Sequence, residues 1–335
     1  MRLAVAMPQV PFERGGTEIF ADGLIGALRE EGHDAELVTV PFKWYPNERV
    51  LTQAFLWRLL DLEEANGRPI DAVIATKFPS YVVRHPNKVV WLLHQFRQAW
   101  DFDRTEFGQF SESAGDRALR QKVLDLDRVS LGEAKKIFTT SSIVAGRLRD
   151  SVGLEAEVLA PPPAPLAFRC EEYGDFVLSV NRLDRAKRID LLIEAAARVP
   201  DLRVVIAGDG PDRERLQALA NGSVEFVGRV SDEELADLYA RCRAVYYAPV
   251  NEDYGLVPYE AFLSDKPVVT TTDAGGPLDI VHDGRTGRVV APTVDALAHA
   301  LTFTDDEART LGRAGHELAR TVTWSSCVQR LLEFV

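Results

Sequence analysis

Residues 244–261 read AVYYAPVNEDYGLVPYEA. AVYYAPV is a short apolar run of the kind buried in parallel sheets. Pro258 has no backbone N–H and is tolerated only in a helix's first turn. The spacing therefore predicts a helix from about Gly255 or Leu256. Strand, loop and helix make one β/α step, and the step recurs in both directions. Downstream come PVVTT, GRVVAP and two closing helical segments. Upstream, VEFVG, RVVIAGDG and FVLSVNR read as strands, and 231–241, 212–220 and 189–199 read as helices. At 161–165 the chain reads PPPAP, a stiff connector without donors. Before it, RLAVAM, AELVTV, DAVIAT, KVVWLLH and KIFTTS alternate with helices at 17–32, 50–64 and 115–134. The predicted fold is α/β, with two Rossmann-like doubly wound domains facing a central cleft. The expected boundaries are an N-terminal domain over 1–160, a linker over 161–173, a C-terminal domain over 174–320, and a last helix over 321–335 packing back on the first domain.

Composition limits the function. The chain has 335 residues, 46% apolar and 27% charged, which excludes a disordered or fibrous chain. No run approaches the roughly 20 apolar residues of a membrane helix. MRLAVAMPQVPF has too short an apolar core for a signal peptide. The three cysteines, Cys170, Cys242 and Cys327, are far apart, which argues against a disulfide scaffold or a Cys-based zinc site and for a cytoplasmic setting. The net charge of −12 argues against a nucleic-acid partner. The charge is uneven. Residues 1–160 carry 20 Lys+Arg against 23 Asp+Glu, and the remainder 19 against 28. The first half can approach an anionic partner that the second would repel, although a solvated surface has the same counts.

The predicted helix start leaves the amides of Gly255, Leu256 and Val257 without helical partners, an anion site reinforced by the helix dipole. Glu252 lies just before it and Glu260 about one turn inside. Such carboxylates could hold hydroxyls on either side of a phosphate, though an ordinary helix start with surface acids has the same spacing. In SVNRLDRAKRID (179–190), Arg182 follows a strand end and Lys187 comes five residues later. Two cations beside an anion site suit a diphosphate. Gly15 and Gly16 in FERGGTEIF permit close backbone approach before another helix start, and Gly275–Gly276 before Pro277 repeat the device. GxGxxG is absent, which disfavours NAD. GDGP at 208–211 reads as a structural turn. His94 ends a predicted strand at its reactive edge, whereas His33, His85, His282, His299 and His316 read as structural or surface groups. DFD (101–103) and DLD (125–127) match the loose Asp-x-Asp pattern of metal-dependent sugar transferases. In DLD the helical context turns the acids toward solvent, and no metal site is expected. Trp100, Phe102, Phe107 and Phe110, in the long loop 95–114, suit either acceptor recognition or a packed lid. Trp44, Tyr45 and Trp57 suggest a peripheral membrane contact of the N-terminal domain, although core packing accounts for Trp57 more simply.

Glu252-x7-Glu260, Arg182-x4-Lys187, GDGP, VGRVSDEEL and GGPLD together resemble the retaining glycosyltransferases of family 4, which have the GT-B fold. The likeness spans nearly the whole chain and is most specific in the second half. In the first half it rests on GGTE and His94. The sequence departs from the family's pattern at Asn181, where glycine is frequent, and at Asp279, where glutamate is. The resemblance implies that Arg182 and Lys187 bind the donor diphosphate with the amides of Leu256 and Val257. It implies that Glu260 holds the ribose, that Glu252 contacts the transferred sugar, and that Gly16 approaches the phosphates. His94 would lie near the reacting sugar, and Gly228, Arg229 and Val230 would meet the base. The expected activity is retaining transfer of a hexose-type sugar from a nucleoside diphosphate to a hydroxyl of a glycan or lipid-linked acceptor, without metal or cofactor. A GT-B phosphorylase, a nucleotide-sugar epimerase and a non-catalytic nucleotide-sugar-binding module remain alternatives.

Overall fold

A computed structural model describes residues 1–13, 15–105 and 108–335. Two compact units emerge. One comprises Met1–Pro161 with Thr323–Val335, the other Pro162–Val322.

The first unit runs β1 (Arg2–Gln9), α1 (Gly16–Glu30), β2 (Asp34–Pro41), α2 (Arg49–Leu59), a small hairpin of β3 (Glu64–Ala65) and β4 (Arg68–Pro69), β5 (Ala72–Ala75), β6 (Lys88–Leu92), α3 (Ala114–Gly132), β7 (Lys136–Thr139), α4 (Ser142–Val152) and β8 (Glu157–Val158). Its main sheet is parallel in the order β2-β1-β5-β6-β7-β8. Alternation along β6 explains the two layers, because successive side chains leave a strand on opposite faces. Val90 and Leu92 enter one core with Trp57, Phe78 and Tyr81. Val89 and Trp91 enter the other with Phe20 and Leu24 of α1.

The second unit runs β9 (Phe176–Val180), α5 (Ile189–Ala196), β10 (Arg203–Ala207), α6 (Arg213–Leu219), β11 (Val224–Gly228), α7 (Asp232–Arg241), β12 (Ala244–Tyr246), α8 (Val257–Leu263), β13 (Val268–Thr271), β14 (Gly287–Val290), α9 (Val294–Ala300) and α10 (Asp305–Ala319). Its sheet, β11-β10-β9-β12-β13-β14, is also parallel. The last helix, α11 (Trp324–Leu332), belongs to the first unit. Cys327, Val328 and Leu331 enter the α1 core there, and the Trp324 ring lies 6.0 Å from Phe20 and 6.2 Å from Trp91.

In each sheet the chain builds outward on one side and then restarts on the other. The restart brings the loops after β1 and β5 together in the first sheet, and those after β9 and β12 in the second. Open α/β sheets place ligands at such switch points, beyond the carboxyl ends of the strands.

Candidate active site

The second switch point brings together the two most informative stretches of the sequence. Arg182 and Lys187 follow β9, and Asn251–Leu256 follow β12. Val250 N–H donates to Ala186 O at 2.8 Å, which ties the loops together. Lys187 Nζ hydrogen-bonds Glu252 Oε2 and lies 5.7 Å from the centre of the Tyr247 ring. Burial works against the ammonium's charge. The Tyr247 oxygen and the Glu252 carboxylate outweigh it, so the Lys187 pKa is raised. Arg182 is exposed, and among the described residues its guanidinium forms no ion pair. Lys187 is thus held by a carboxylate, whereas Arg182 is open to solvent.

The helix after this loop starts one to two residues later than its sequence implies. Gly255 has φ +85, Leu256 is the N-cap, and α8 begins at Val257 with proline in its first turn. Among the described residues no acceptor meets the Gly255, Leu256 or Val257 amides. Glu260 lies in the first turn, and its Oε2 accepts from Tyr239 Oη at 2.7 Å. Burial raises the Glu260 pKa, the Tyr239 hydrogen bond lowers it, and Asp232 raises it again. The net shift is upward.

The glycine turns hold these loops. A Cβ on Gly208, at φ +130, would sit 1.8 Å from Asn181 O. On Gly210 it would sit 2.3 Å from Leu183 O. The GDGP turn is therefore the bed of the Arg182 loop, with Leu183 N–H donating to Asp209 O at 3.1 Å. Asn181, where the family often has glycine, turns inward and donates to Ser179 Oγ at 3.0 Å. Gly275 and Gly276 do the same for the Glu252 loop. Cβ atoms there would lie 2.5 Å from Glu252 O and 2.6 Å from Asp253 O. The turn beyond them, Gly276–Asp279, is a single 3-10 turn. The expected second helix N-terminus is thus replaced by a backbone brace, and Asp279 ends it exposed to solvent. Gly228 ends β11 at φ +72 and accepts from Gly208 N–H at 2.7 Å, and Arg229 and Val230 follow it on the rim.

Three residues here carried no signal as single letters. Tyr239 and Tyr247 read as strand or core aromatics. Arg188, at φ +50, donates to Ala248 O and Pro249 O and pairs with Asp273 at 2.8 Å. It clamps the ends of β12 and β13 side by side.

In the first unit, Gly15 caps α1, and its N–H donates to Glu18 Oε2 at 2.8 Å. Gly16 is the first helical residue. β6 ends at Leu92, so His94 lies two residues beyond the strand, and its Nδ1 is 2.7 Å from Gln95 O. A cavity of about 250 Å³ opens there, lined by His94, Gln95, Arg97, Trp100, Arg147 and Ser151 among others.

The expectation that both DLD acids face water is overturned at Asp127. It is 0% exposed and accepts from Tyr81 Oη at 2.8 Å, Trp100 Nε1 at 2.7 Å and Gln95 Nε2 at 3.3 Å. Burial pushes its pKa up to about 6 against these donors. Asp127 turns inward because two donors of the His94 loop, Gln95 and Trp100, and Tyr81 from the turn between β5 and β6 converge on it. The DFD acids are held by arginines. Asp101 pairs with Arg97 at 2.7 Å and Arg147 at 3.5 Å, and Asp103 with Arg120 at 3.1 Å. In the aromatic loop, Phe102 stacks under Arg97 at 3.9 Å and Phe110 packs edge-on to Phe96. Phe107 lies outside the described residues. Trp57 is core, whereas Trp44 and Tyr45 are exposed, as are Phe55, Leu56 and Leu59 of α2.

Residues 170–309 match the family described as glycosyl transferases group 1. Curated relatives match over just under half of the chain. The D-inositol 3-phosphate glycosyltransferase of Mycolicibacterium paratuberculosis is 31% identical over 173 residues, 47% of this chain and 39% of that protein. The GDP-mannose-dependent alpha-mannosyltransferase of Mycolicibacterium smegmatis is 35% identical over 157 residues, 46% of this chain and 40% of that protein. The matched region thus spans about two fifths of each relative. Among solved structures, the sucrose-phosphate synthase of Thermosynechococcus elongatus has a TM-score of 0.74 at 20% identity, covering 99% of this chain and 98% of that one. Anabaena HepE, solved in complex with UDP-glucose, has a TM-score of 0.72 at 17% identity, covering 99% of both chains.

Proposed function

We propose, for a chain of the GT-B fold whose residues 170–309 match the glycosyl transferases group 1 family, that it transfers a hexose-type sugar with retention from a nucleoside diphosphate to a hydroxyl of a glycan or lipid-linked acceptor. The observation that carries this reading is the second switch point. Lys187 and three unmatched amides lie beside two carboxylates, Glu252 and Glu260, and Arg182 stands on the same loop as Lys187. That is one diphosphate site with hydroxyl acceptors to either side. In this reading Gly228, Arg229 and Val230 border the base. HepE, solved with UDP-glucose, supports a nucleotide-sugar donor.

Breaking the bond between sugar and diphosphate puts negative charge on the leaving oxygens. Fixed cations and amide dipoles stabilise that charge more in the transition state than in the ground state. The Tyr247 oxygen and the Glu252 carboxylate favour the protonated form of Lys187. These groups supply the electrostatic role that a divalent metal plays elsewhere, so transfer proceeds without one. The exposed Trp44 and Tyr45 favour a peripheral contact of the first unit with a membrane carrying the acceptor. No helix among the described residues is long and apolar enough to cross a membrane.

The test is a thermal-shift screen of UDP, GDP and ADP followed by a sugar-transfer assay with and without EDTA. A ligand at 100 times its Kd adds about 2.7 kcal/mol of stability. Binding of one diphosphate and EDTA-resistant transfer are expected. Loss of activity in EDTA, restored by manganese, would return Asp101 and Asp103 to consideration as ligands. A phosphorylase would instead need inorganic phosphate, and an epimerase would convert the donor with no acceptor present.

A further inference from the structure

We infer that Tyr239 is a positioning residue, which orients the Glu260 carboxylate so that it accepts both ribose hydroxyls of the nucleoside diphosphate; the inference rests on the glycosyl-transfer reading above. Tyr239 lies on α7 and Glu260 on α8, so the contact joins two helices that the chain links only through β12. The phenol is 0% exposed and stands edge-on to Phe168, ring centres 5.8 Å apart. It has no room to swing. Its hydroxyl donates to Oε2 of Glu260 at 2.7 Å.

A glutamate has three side-chain torsions and would otherwise sample several orientations, at an entropic cost on binding. Among the described residues no other side chain donates to this carboxylate. One donor leaves about three of the four lone-pair sites of an ionised carboxylate open. Two vicinal hydroxyls need two of them. Tyr239 thus sets the direction of the group without using up its capacity.

The same bond favours the ionised carboxylate. Burial favours the neutral acid, and Asp232 at the start of α7 adds to that; Tyr239 opposes both. Tyr247, one residue beyond β12, interacts electrostatically with the same carboxylate. A protonated Glu260 would keep one oxygen occupied by its own proton and lose an acceptor for ribose.

The experiment is calorimetry on the full chain with UDP, GDP and ADP, then with the 2′,3′-dideoxy analogue of whichever binds most tightly. Tyr239→Phe keeps the ring and removes only the donor. It should weaken the ribose nucleotide about tenfold, the size of one hydrogen bond to a charged group, and leave the dideoxy analogue within twofold. The variant's affinity should also begin to fall at a higher pH on acidification than that of the unmodified protein. Glu260→Gln should abolish discrimination between the two nucleotides, and adding Tyr239→Phe to it should change nothing further. If Tyr239→Phe weakens both nucleotides equally, or neither, while Glu260→Gln abolishes discrimination, the inference falls and the reading of Glu260 stands. If Glu260→Gln keeps full discrimination, or if no nucleoside diphosphate binds the unmodified protein, the reading beneath it falls as well.

Discussion

Arg182 and Lys187 look equivalent as letters but differ as groups. A cation that stabilises developing charge is worth about 100- to 1000-fold in rate. Arg182→Ala and Lys187→Ala should each lower turnover by about that factor in a transfer assay. The double variant should cost less than the sum, because both act on one anion. Their stabilities should diverge. Arg182 is exposed, and its loss should leave the melting temperature of the ligand-free protein unchanged. Lys187 is bonded to a half-buried Glu252, and truncating it removes that charge-assisted bond. A cost of about 1–3 kcal/mol is expected in urea unfolding. Near-normal turnover of both variants at saturating donor would move the diphosphate elsewhere.

At the scale of elements, the docking of α11 depends on a missing side chain. A Cβ on Gly23 of α1 would lie 2.4 Å from the Trp324 ring. Gly23→Ala should destabilise the first unit by about 1–3 kcal/mol through overpacking, and Trp324→Leu in the same chain should recover part of it. The far end of α11 is held by Arg330, which grips Glu157 on β8 at 2.6 Å. Hydrogen bonds from Arg330, followed by those from Lys136, bring the Glu157 pKa down to about 2. A depressed carboxylate pKa contributes stability above its unfolded value and loses it as pH falls through the folded one. Glu157→Gln should therefore lower the melting temperature at pH 7. The difference should shrink from about pH 4 downward. A difference that persists unchanged at pH 2 would mean that the contact is not electrostatic.

For the whole molecule, each unit has its own apolar core: two layers on the first sheet and a separate one in the second. Calorimetric scans should resolve two transitions. A bound nucleoside diphosphate should raise the transition of residues 162–322, since Arg182, Lys187, Glu252 and Glu260 all lie there. Truncation before Thr323 uncovers Phe20, Trp91 and Phe138 and should lower only the other transition. If the nucleotide instead raised only the first unit's transition, the donor site would be in the wrong half.

The sequence by itself determined the elements and much of the second switch point. Period and Pro258 marked strand, loop and helix, since a missing N–H is a local fact that no packing can reverse. Arg182, Lys187, Glu252 and Glu260 were readable because each sits beside a strand end or helix start marked by its neighbours. Tertiary structure alone decided the rest, because those facts depend on residues far apart in the chain. Gly208 is glycine because Asn181 O occupies the place of its Cβ. Gly275 brings a brace where the sequence suggested a second helix N-terminus. Asp127 turns inward because Tyr81, Gln95 and Trp100, distant from it in sequence, supply the donors that a buried carboxylate needs. Tyr239 had the pattern of any helix-face aromatic. Only the packing of α7 and α8 put its hydroxyl on Glu260, since a helix face names what is buried and not which partner it meets.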